Sequence, residues 1–476
     1  MAVLPSPSNT SAPESQGFEA NLDDLFLRFA VGPGRQLNIN TAPLQAQAIQ
    51  TSETPEDFQQ EFGQIYSRTD FAGGSGLDKA HQRNGKDTDF QRFWDSKGVD
   101  VFSGKEVGQE YQVSLLHDTE ELSSSSNTNL YMEEMGGSIF FADSDVLKRI
   151  DTPTATSISV TSETAPNAGN AITGLAVLGT QLYLVANGII YKRTAASTYS
   201  VHNNHKTFSK IWSMKGRIVA SDTGGDLYEV TSSSNPTTMK TLPTGTEWTD
   251  LADGGAVVLG AASDGYIYSF ADESSSLTLK GQTFIEGEVP NAIDAAQGFI
   301  FYGTFQNTAS GKIGRLYRAE LTNSNSLFVL VNAQLIKQWG DGTTTLNQAP
   351  FKIISTRDSI FTGIVDSASK TNLWRYYLPT GGIARDLEFA ESGIVEGIAV
   401  FADTIFTTIS GGGLYRESTN YVSTGYIITA LADFFTSEKK QWVGAKLNTN
   451  VVTSGSVKLF TSTIPADINN PSAATW

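Results

Sequence analysis

The apolar residues of this chain fall into short runs that return in a fixed order between residues 129 and 416. Each repeat has an apolar run, a turn of Gly, Asp or Asn, a second apolar run and a Gly-rich gap. It then closes on a branched aliphatic residue followed by an aromatic or basic one. The closing pairs are Leu147-Lys148, Ile190-Tyr191, Leu227-Tyr228, Ile267-Tyr268, Leu316-Tyr317, Leu373-Trp374 and Leu414-Tyr415.

Successive closing pairs lie 37 to 57 residues apart. A strand-rich repeat of this length predicts a β-propeller with one four-stranded blade per copy. We therefore expect a mainly β protein with about seven blades over residues 123–420. The alternation of apolar and polar residues is only partial, because inner propeller strands are covered on both faces.

The flanking regions lack this pattern. Residues 1–122 are predicted to form an irregular arm and anchoring region, with a short helix or strand from residues 21–24 to Phe29 and a helix over 55–66. The Gly-rich part around residues 71–102 buries too little surface to fold alone, so we expect it to lie against a partner or a neighbouring domain. Residues 421–476 predict three or four antiparallel strands of a β-sandwich-like segment.

Composition narrows the class of function. The chain has 476 residues, 44 glycines, 50 acidic against 33 basic residues and no cysteine. A net charge of −17 disfavours binding to nucleic acid or anionic membranes. The lack of cysteine excludes disulfides, Cys-ligated zinc and thiol nucleophiles, and it is expected of a protein assembled in a reducing cytosol. We expect neither a secretory signal nor membrane insertion.

Candidate chemistry is sparse. His202 and His205 have a spacing that a metal site can use, but in an Asn-rich loop they are better explained as solvated residues. Gly73, Gly74 and Gly76 superficially resemble a phosphate loop, yet no GK[ST] follows, and a backbone turn explains them better. We predict no metal and no cofactor.

Three acidic turns invite comparison with the Asp-boxes of sialidases. Asp222, Asp253 and Asp264 each precede a glycine by one or two positions, but the Ser spacing and the Trp of those motifs are missing. We interpret them as hairpin turn residues that tolerate positive φ. No Ser–His–Asp set can be assigned, although paired carboxylates for glycoside hydrolysis are invisible in a sequence. The expectation is no catalytic residue.

Exposed tryptophans are the candidates for glycan contact. Trp212, Trp248 and Trp339 lie near strand starts or between repeats. They can stack on sugar rings, or they can fill the space between blades, and we favour the second interpretation.

The N-terminal third carries a resemblance to a known family. An aromatic-Gly-Gly stretch, here Phe71, Gly73 and Gly74, precedes a polar segment and then an Arg-Phe-x-x-Ser-x-x-Val-Asp-Val stretch from Arg92 to Val101. This resembles the start of many tailed-bacteriophage minor tail proteins. There a β-propeller commonly follows, and then a β-sandwich whose opening is similar to residues 425–442.

The resemblance implies a non-enzymatic component of a virion tail that is assembled in the host cytoplasm and anchored by its N-terminal region. Its implied partners are other phage tail proteins, further copies of itself in a symmetric assembly, and a glycan or protein of the host cell surface. The alternatives are a carbohydrate-binding or glycan-cleaving propeller and a cellular scaffold propeller. The candidate assembly residues are Phe71, Gly73, Gly74, Arg92, Phe93 and Trp94.

Overall fold

The fold is built from strands. A computed structural model describes residues 70–76, 91–103, 111–232, 234–273, 276–340, 345–347, 349–429 and 456–458, and the backbone alone of 17–22, 25–31 and 37–40. No helix occurs among these residues. The predicted helix over 55–66 lies outside them.

The N-terminal region is less irregular than predicted. Three antiparallel strands form a separate meander: β1 (Gly17–Leu22), β2 (Leu25–Val31) and β3 (Leu37–Asn40). The register pairs Gly17 with Ala30, and Arg28 with Asn40. The segment up to Phe29 is therefore part of a strand hairpin.

Six further strands precede the repeats. They are β4 (Gly74–Ser75), β5 (Arg92–Phe93), β6 (Asp95–Lys97), β7 (Val99–Ser103), β8 (Gln112–Leu115) and β9 (His117–Ser124). All six pair with one another or with later parts of the chain.

The repeats form antiparallel sheets of consecutive strands. The first contains β10 (Met132–Met135), β11 (Ser138–Asp143), β12 (Val146–Ile150) and β13 (Val160–Thr164). The second contains β14 (Ile172–Leu178), β15 (Gln181–Ala186), β16 (Ile189–Ala195) and β17 (Thr198–Asn203). The third contains β18 (Phe208–Met214), β19 (Arg217–Asp222), β20 (Asp226–Val230) and β21 (Thr237–Thr241).

The fourth sheet contains β22 (Trp248–Asp253), β23 (Val257–Ala262), β24 (Tyr266–Glu273) and β25 (Ser276–Phe284). The fifth contains β26 (Val289–Ala296), β27 (Phe299–Thr308), β28 (Gly311–Ser324) and β29 (Leu327–Trp339). The sixth contains β30 (Ile353–Ser355), β31 (Ser359–Val365), β32 (Thr371–Tyr377) and β33 (Gly382–Glu388). The last contains β34 (Val395–Phe401), β35 (Thr404–Ile409) and β36 (Gly413–Tyr421), with β9 as its fourth strand.

These sheets form a β-propeller. The first strand of each sheet contacts the first strand of the next, and β34 returns to contact β10. The prediction of about seven four-stranded blades is wrong in its count, because six blades of that kind are found in the part of the chain that the structure describes. Within the described residues, six sheets have four strands, whereas the sheet of β30 to β33 has six because β4 and β5 extend it. The sequence period cannot show this, since β4 and β5 come from outside the repeat.

The ring is closed by a strand that the sequence assigned to the arm. Strand β9 pairs antiparallel with β36, with Ser123 opposite Leu414 and His117 opposite Tyr421. The propeller therefore begins at residue 117 and not at 123. Its last sheet joins both ends of the repeat region, which makes the ring one cooperative unit.

The closing pairs form the core. All seven lie on the third strand of their sheets, and their aliphatic members are 0% exposed: Leu147, Ile190, Leu227, Ile267, Leu316, Leu373 and Leu414. Most of the residues opposite them on the second strand are small, as with Ala261 opposite Ile267 and Gly363 opposite Leu373. Each buried aliphatic side chain contributes about 2 kcal/mol. The repeated closing pairs in the sequence thus mark residues that pack the core.

The C-terminal β-sandwich-like segment lies mostly outside the described residues. Only β37 (Tyr426–Ile428) is described as a strand there, and it pairs antiparallel with β6. No helix in the described part of the chain is long and apolar enough to span a membrane.

Candidate functional site

The predicted assembly residues lie together on the propeller, at the outer edge of the sixth sheet. Strands β4 and β5 continue that sheet in parallel, with Gly74 beside both Ile383 and Arg92. Gly74 has φ +72°, and a Cβ there would overlap the backbone of Ile383. Only glycine allows this close approach, so the Gly-Gly step serves strand addition and not phosphate binding.

A small apolar core holds this edge, which we call the junction (residues 70–76, 91–103 and 426–428 with β33). Phe93 is fully buried, and Phe71 meets it edge-on at 6.3 Å between ring centroids. The other buried apolar members are Ala72, Val99, Val101, Phe102 and Ala384. The N-terminal segment therefore docks on its own propeller, which agrees with the expectation that it lies against a neighbouring domain.

A buried lysine fixes the junction. Lys337, on β29, is 6% exposed, and its Nζ donates to Ser75 Oγ at 2.6 Å and to the Gly76 carbonyl at 2.9 Å. The ammonium also faces the rings of Trp94 and Trp374 at 5.8 and 5.5 Å. Burial lowers the pKa of Lys337 to about 8. Cation–π contacts and the two acceptors offset part of that cost.

Two arginines add ion pairs across the same boundary. Arg375 contacts Asp100 of β7 at 2.5 Å and Asp386 of β33 at 3.1 Å. Arg385 reaches Asp95 of β6 at 3.5 Å. Burial raises the pKa of Asp386 to about 6, although Arg375 opposes the shift. These groups are far apart in sequence, and no periodic pattern marks them.

Both flanks of the propeller meet at the junction. The Trp94 amide donates to the Ile428 carbonyl at 2.8 Å, and β37 pairs with β6 over residues 95–97. Val422 N donates to the Leu116 carbonyl at 3.0 Å. The chain therefore enters and leaves the propeller on one side.

Two of the three tryptophan candidates for glycan contact are buried, and the third is half-buried. Trp248 is 1% exposed, with Nε1 donating to the Gly225 carbonyl at 3.0 Å, and Trp339 is 6% exposed against Trp374. Trp212 packs on the core beside Trp248 and donates to Asp250 at 3.3 Å. Rings this enclosed have no face for a sugar, so in the described structure the packing interpretation replaces the glycan one for Trp248 and Trp339.

The Asp-Gly turns are structural. Asp222 Oδ1 accepts hydrogen bonds from the amides of Gly224 and Asp226, both at 2.9 Å, and its Oδ2 accepts from the Tyr228 hydroxyl at 2.8 Å. Asp264 accepts likewise from Tyr268 at 2.6 Å. The aspartates thus hold the aromatic members of the closing pairs. Their own φ values are not positive; the following glycines adopt that conformation, which corrects the sequence-based explanation.

The histidines do not form a metal site. His202 lies edge-on to Tyr183 at 4.9 Å, and burial lowers its pKa. The His205 amide donates to Asn203 Oδ1 at 3.0 Å. In the part of the chain that the structure describes, no group of three or more His, Asp and Glu side chains is placed to hold a metal ion.

The centre of the ring carries charges from several first strands. Lys352 Nζ lies 3.7 Å from Asp250 Oδ1, which raises the lysine pKa despite burial. Glu133 and Glu396 also face Lys352, and burial raises the pKa of each to about 7. Lys352 and the surrounding carboxylates thus interact electrostatically inside the ring.

An open depression of about 640 Å³ lies where the first and last sheets meet. It is lined by Glu121, Ser124, Asp143, Glu391 and Tyr415, among others. Asp143 is already satisfied by Ser125 at 2.5 Å and Lys148 at 2.5 Å. Its carboxylate therefore serves the seam between the sheets.

These features define a β-propeller with a strand-extended edge as the class of this chain.

No known family model matches it, and no curated protein matches its sequence. Among solved structures, it is similar to the mitotic checkpoint complex at 11% identity (TM-score 0.45), covering 64% of this chain and 95% of that one. It is also similar to the Cps50 (Swd1) β-propeller domain of Myceliophteria thermophila at 12% identity (TM-score 0.45), covering 63% of this chain and 100% of that one. A third is YCF48 bound to D1 peptide, at 10% identity (TM-score 0.44), covering 64% and 98%. The likeness concerns the fold alone.

Proposed function

We propose that this protein is a non-enzymatic structural component of a bacteriophage tail, anchored through its N-terminal region and displaying a rigid propeller toward the host. The observation that carries the proposal is the junction. Both flanking segments leave the propeller at the outer edge of the sixth sheet. A module held from one side leaves the rest of its ring available for contact, as a displayed subunit requires.

The non-enzymatic part of the proposal is supported by how the acidic groups are used. Asp222 and Asp264 hold closing tyrosines, Asp143 holds the seam, and Asp250 pairs with Lys352. Each carboxylate already has partners that fix it in a structural role. Asp143 does line the depression between the first and last sheets, but its carboxylate there is already held by Ser125 and Lys148.

The proposed partners are other tail proteins, further copies of this chain in a symmetric virion, and a glycan or protein of the host surface. The proposed location is the virion tail after assembly in the host cytoplasm. The lack of cysteine agrees with assembly in a reducing compartment.

The test is mass spectrometry of purified particles from the source. We expect peptides of this chain in constant ratio to known tail proteins through a density gradient. A chain carrying Phe93→Asp should be lost from particles because it disrupts the junction core, while Val201→Asp, on the exposed face of the second sheet, should be incorporated normally. Absence of the unaltered chain from particles would refute the proposal.

A further inference from the structure

We propose that Tyr266 and Phe284, at the end of the fourth sheet, form a platform for a sugar, with the apolar face of a pyranose ring stacking on the two aromatic rings. This inference gains its biological meaning from the proposed display function, and it names the chemistry that the displayed ring would contact. It can be tested on the isolated protein without any particle.

The repeats themselves show that this aromatic pair is exceptional. Tyr266 precedes the closing pair of its sheet, and Phe284 is its cross-strand partner. Among the described pairings, the same position in the other sheets has no aromatic residue: Val146–Thr164, Asp226–Thr241, Arg315–Gln338, Asn372–Glu388 and Gly413–Ser124. In the third sheet the two residues form a hydrogen bond, and in the fifth Arg315 donates to Gln338 at 2.8 Å. The fold can therefore form with a polar pair at this position.

Phe284 is exposed and Tyr266 is half-buried, and both rings are well supported. Phe284 is 56% exposed, and its ring centroid lies 5.0 Å from that of Tyr266. Tyr266 in turn lies 5.8 Å from Tyr268, and Tyr268 lies 5.3 Å from the buried Trp248. The aromatic row thus runs from solvent into the core. A platform that continues into a packed core loses little freedom when a ligand binds.

A glycine turn shapes the platform. Phe284 lies over Gly265, where an added Cβ would stand 3.3 Å from the ring, and Gly265 has φ +90°. The amide of Ile285 donates to the Gly265 carbonyl at 2.9 Å, which fixes the residue next to Phe284. The turn and the neighbouring strand therefore hold the exposed ring in place through the backbone.

Leaving a phenylalanine side chain in water forgoes the stabilisation that its burial would give. A single exposed apolar side chain is ordinary, but here it lies on a second ring, in a position where the other described pairs contain no aromatic residue. The third sheet forms with Asp226 and Thr241 at the same pair position, so the fold does not need the aromatic surface. We therefore assign it to a ligand.

The surroundings favour a sugar over an apolar partner. Polar groups lie near the two rings. Lys240 Nζ lies 5.3 Å from the Tyr268 ring centroid, Asp264 holds the turn below, and Glu286 is exposed beside Phe284. The C–H face of a pyranose carries partial positive charge that the negative face of an aromatic ring attracts. Its hydroxyls would meet these polar groups.

The experiment is saturation-transfer difference NMR on the full chain. The probes are methyl α-glucoside, methyl β-galactoside, N-acetylglucosamine and methyl α-rhamnoside, each at about 20 mM because single sugars on one platform bind in the millimolar range. We expect transfer to the ring C–H protons of at least one probe. Tyr266→Asp combined with Phe284→Thr, which installs the pair of the third sheet, should reduce the signal at least tenfold.

The matched control is Val201→Thr, which removes an exposed apolar side chain from the second sheet and should leave the signal unchanged. Transfer to none of the four probes overturns the sugar platform, and so does a signal that survives the double substitution. Loss of particle association on the double substitution, without any sugar binding, would show instead that the pair contacts a protein. Absence of the chain from particles leaves the sugar test intact, so the two proposals can fail separately.

Discussion

Replacement of Lys337 by Met should loosen the junction without opening the propeller. The substitution keeps most of the side-chain volume but removes the ammonium that joins β29 to Ser75 and Gly76. Two hydrogen bonds from a charged donor contribute about 1.5–3 kcal/mol each. Against this, lowering the lysine pKa to about 8 corresponds to a cost of about 3 kcal/mol for holding the charge in a buried site. The net loss should be about 2 kcal/mol.

Hydrogen exchange followed by mass spectrometry measures this loss where it occurs. Amides in residues 70–76 and 91–103 should exchange about 30-fold faster in the variant, the rate ratio that corresponds to 2 kcal/mol, while strands β14 to β25 keep their protection. The control is Lys280→Met, which removes a surface ion pair with Glu273 and should change exchange less than twofold. Equal acceleration throughout the propeller would refute the idea that Lys337 acts locally.

The same substitution has a signature in pH. The folded-state pKa of Lys337 lies below its usual value, so the unfolded chain binds the proton more tightly and stability rises with pH above about 8. Relative to the Met variant, the junction of the natural protein should gain about 2 kcal/mol between pH 8 and about 9.5. A difference that stays constant over this window would contradict the burial of a charged ammonium.

Three further predictions concern the propeller. Leu316→Ala should lower the free energy of unfolding by about 3 kcal/mol because the side chain is fully buried, and a loss below about 1 kcal/mol in urea denaturation would contradict its core role. Asp222→Ala should cost about 2–4 kcal/mol, since two amides and the Tyr228 hydroxyl lose their acceptor, and an unchanged melting temperature would disprove the structural assignment. Burial raises the pKa of Glu133 and Glu396 to about 7, so stability should fall as pH rises from about 4.5 to 7, by up to about 3 kcal/mol per group. Glu133→Gln with Glu396→Gln should flatten that slope in urea titrations, and an unaltered slope would contradict it.

The sequence predicted the propeller because its signal is local. Each closing pair lies within one strand, and the buried member and its turn are separated by only a few residues, so the pattern survives without knowledge of the rest of the chain. Strand β9 does not show this local pattern, because its residues are mostly acidic or polar and exposed or half-buried. Its place in the sheet depends on pairing with β36. Ring closure joins the two ends of the repeat region, and no local period contains it.

Only part of the junction could be predicted from the sequence. The Phe71 and Gly74 stretch stood out by resemblance, and its docking on a neighbouring domain followed from its small apolar content. Lys337 and Arg375 carried no signal, because each is a single basic residue within a strand and belongs to no motif. Their importance depends on two tryptophans and several carboxylates that approach from distant parts of the chain. A parallel strand pair through a glycine has no side-chain pattern at all.

The closing pairs also indicate where ligand recognition can arise in the propeller. The aliphatic member is buried in every sheet, and the aromatic member is held by a turn carboxylate in the third and fourth. The residue just before the pair has neither of these two roles. In the seven copies it is Val146, Ile189, Asp226, Tyr266, Arg315, Asn372 and Gly413. The burial of this position differs between the sheets, since Asn372 is 1% exposed whereas Tyr266 is half-buried. Where burial is incomplete, the position can take side chains for other purposes, and the pair of Tyr266 with the exposed Phe284 is one such case.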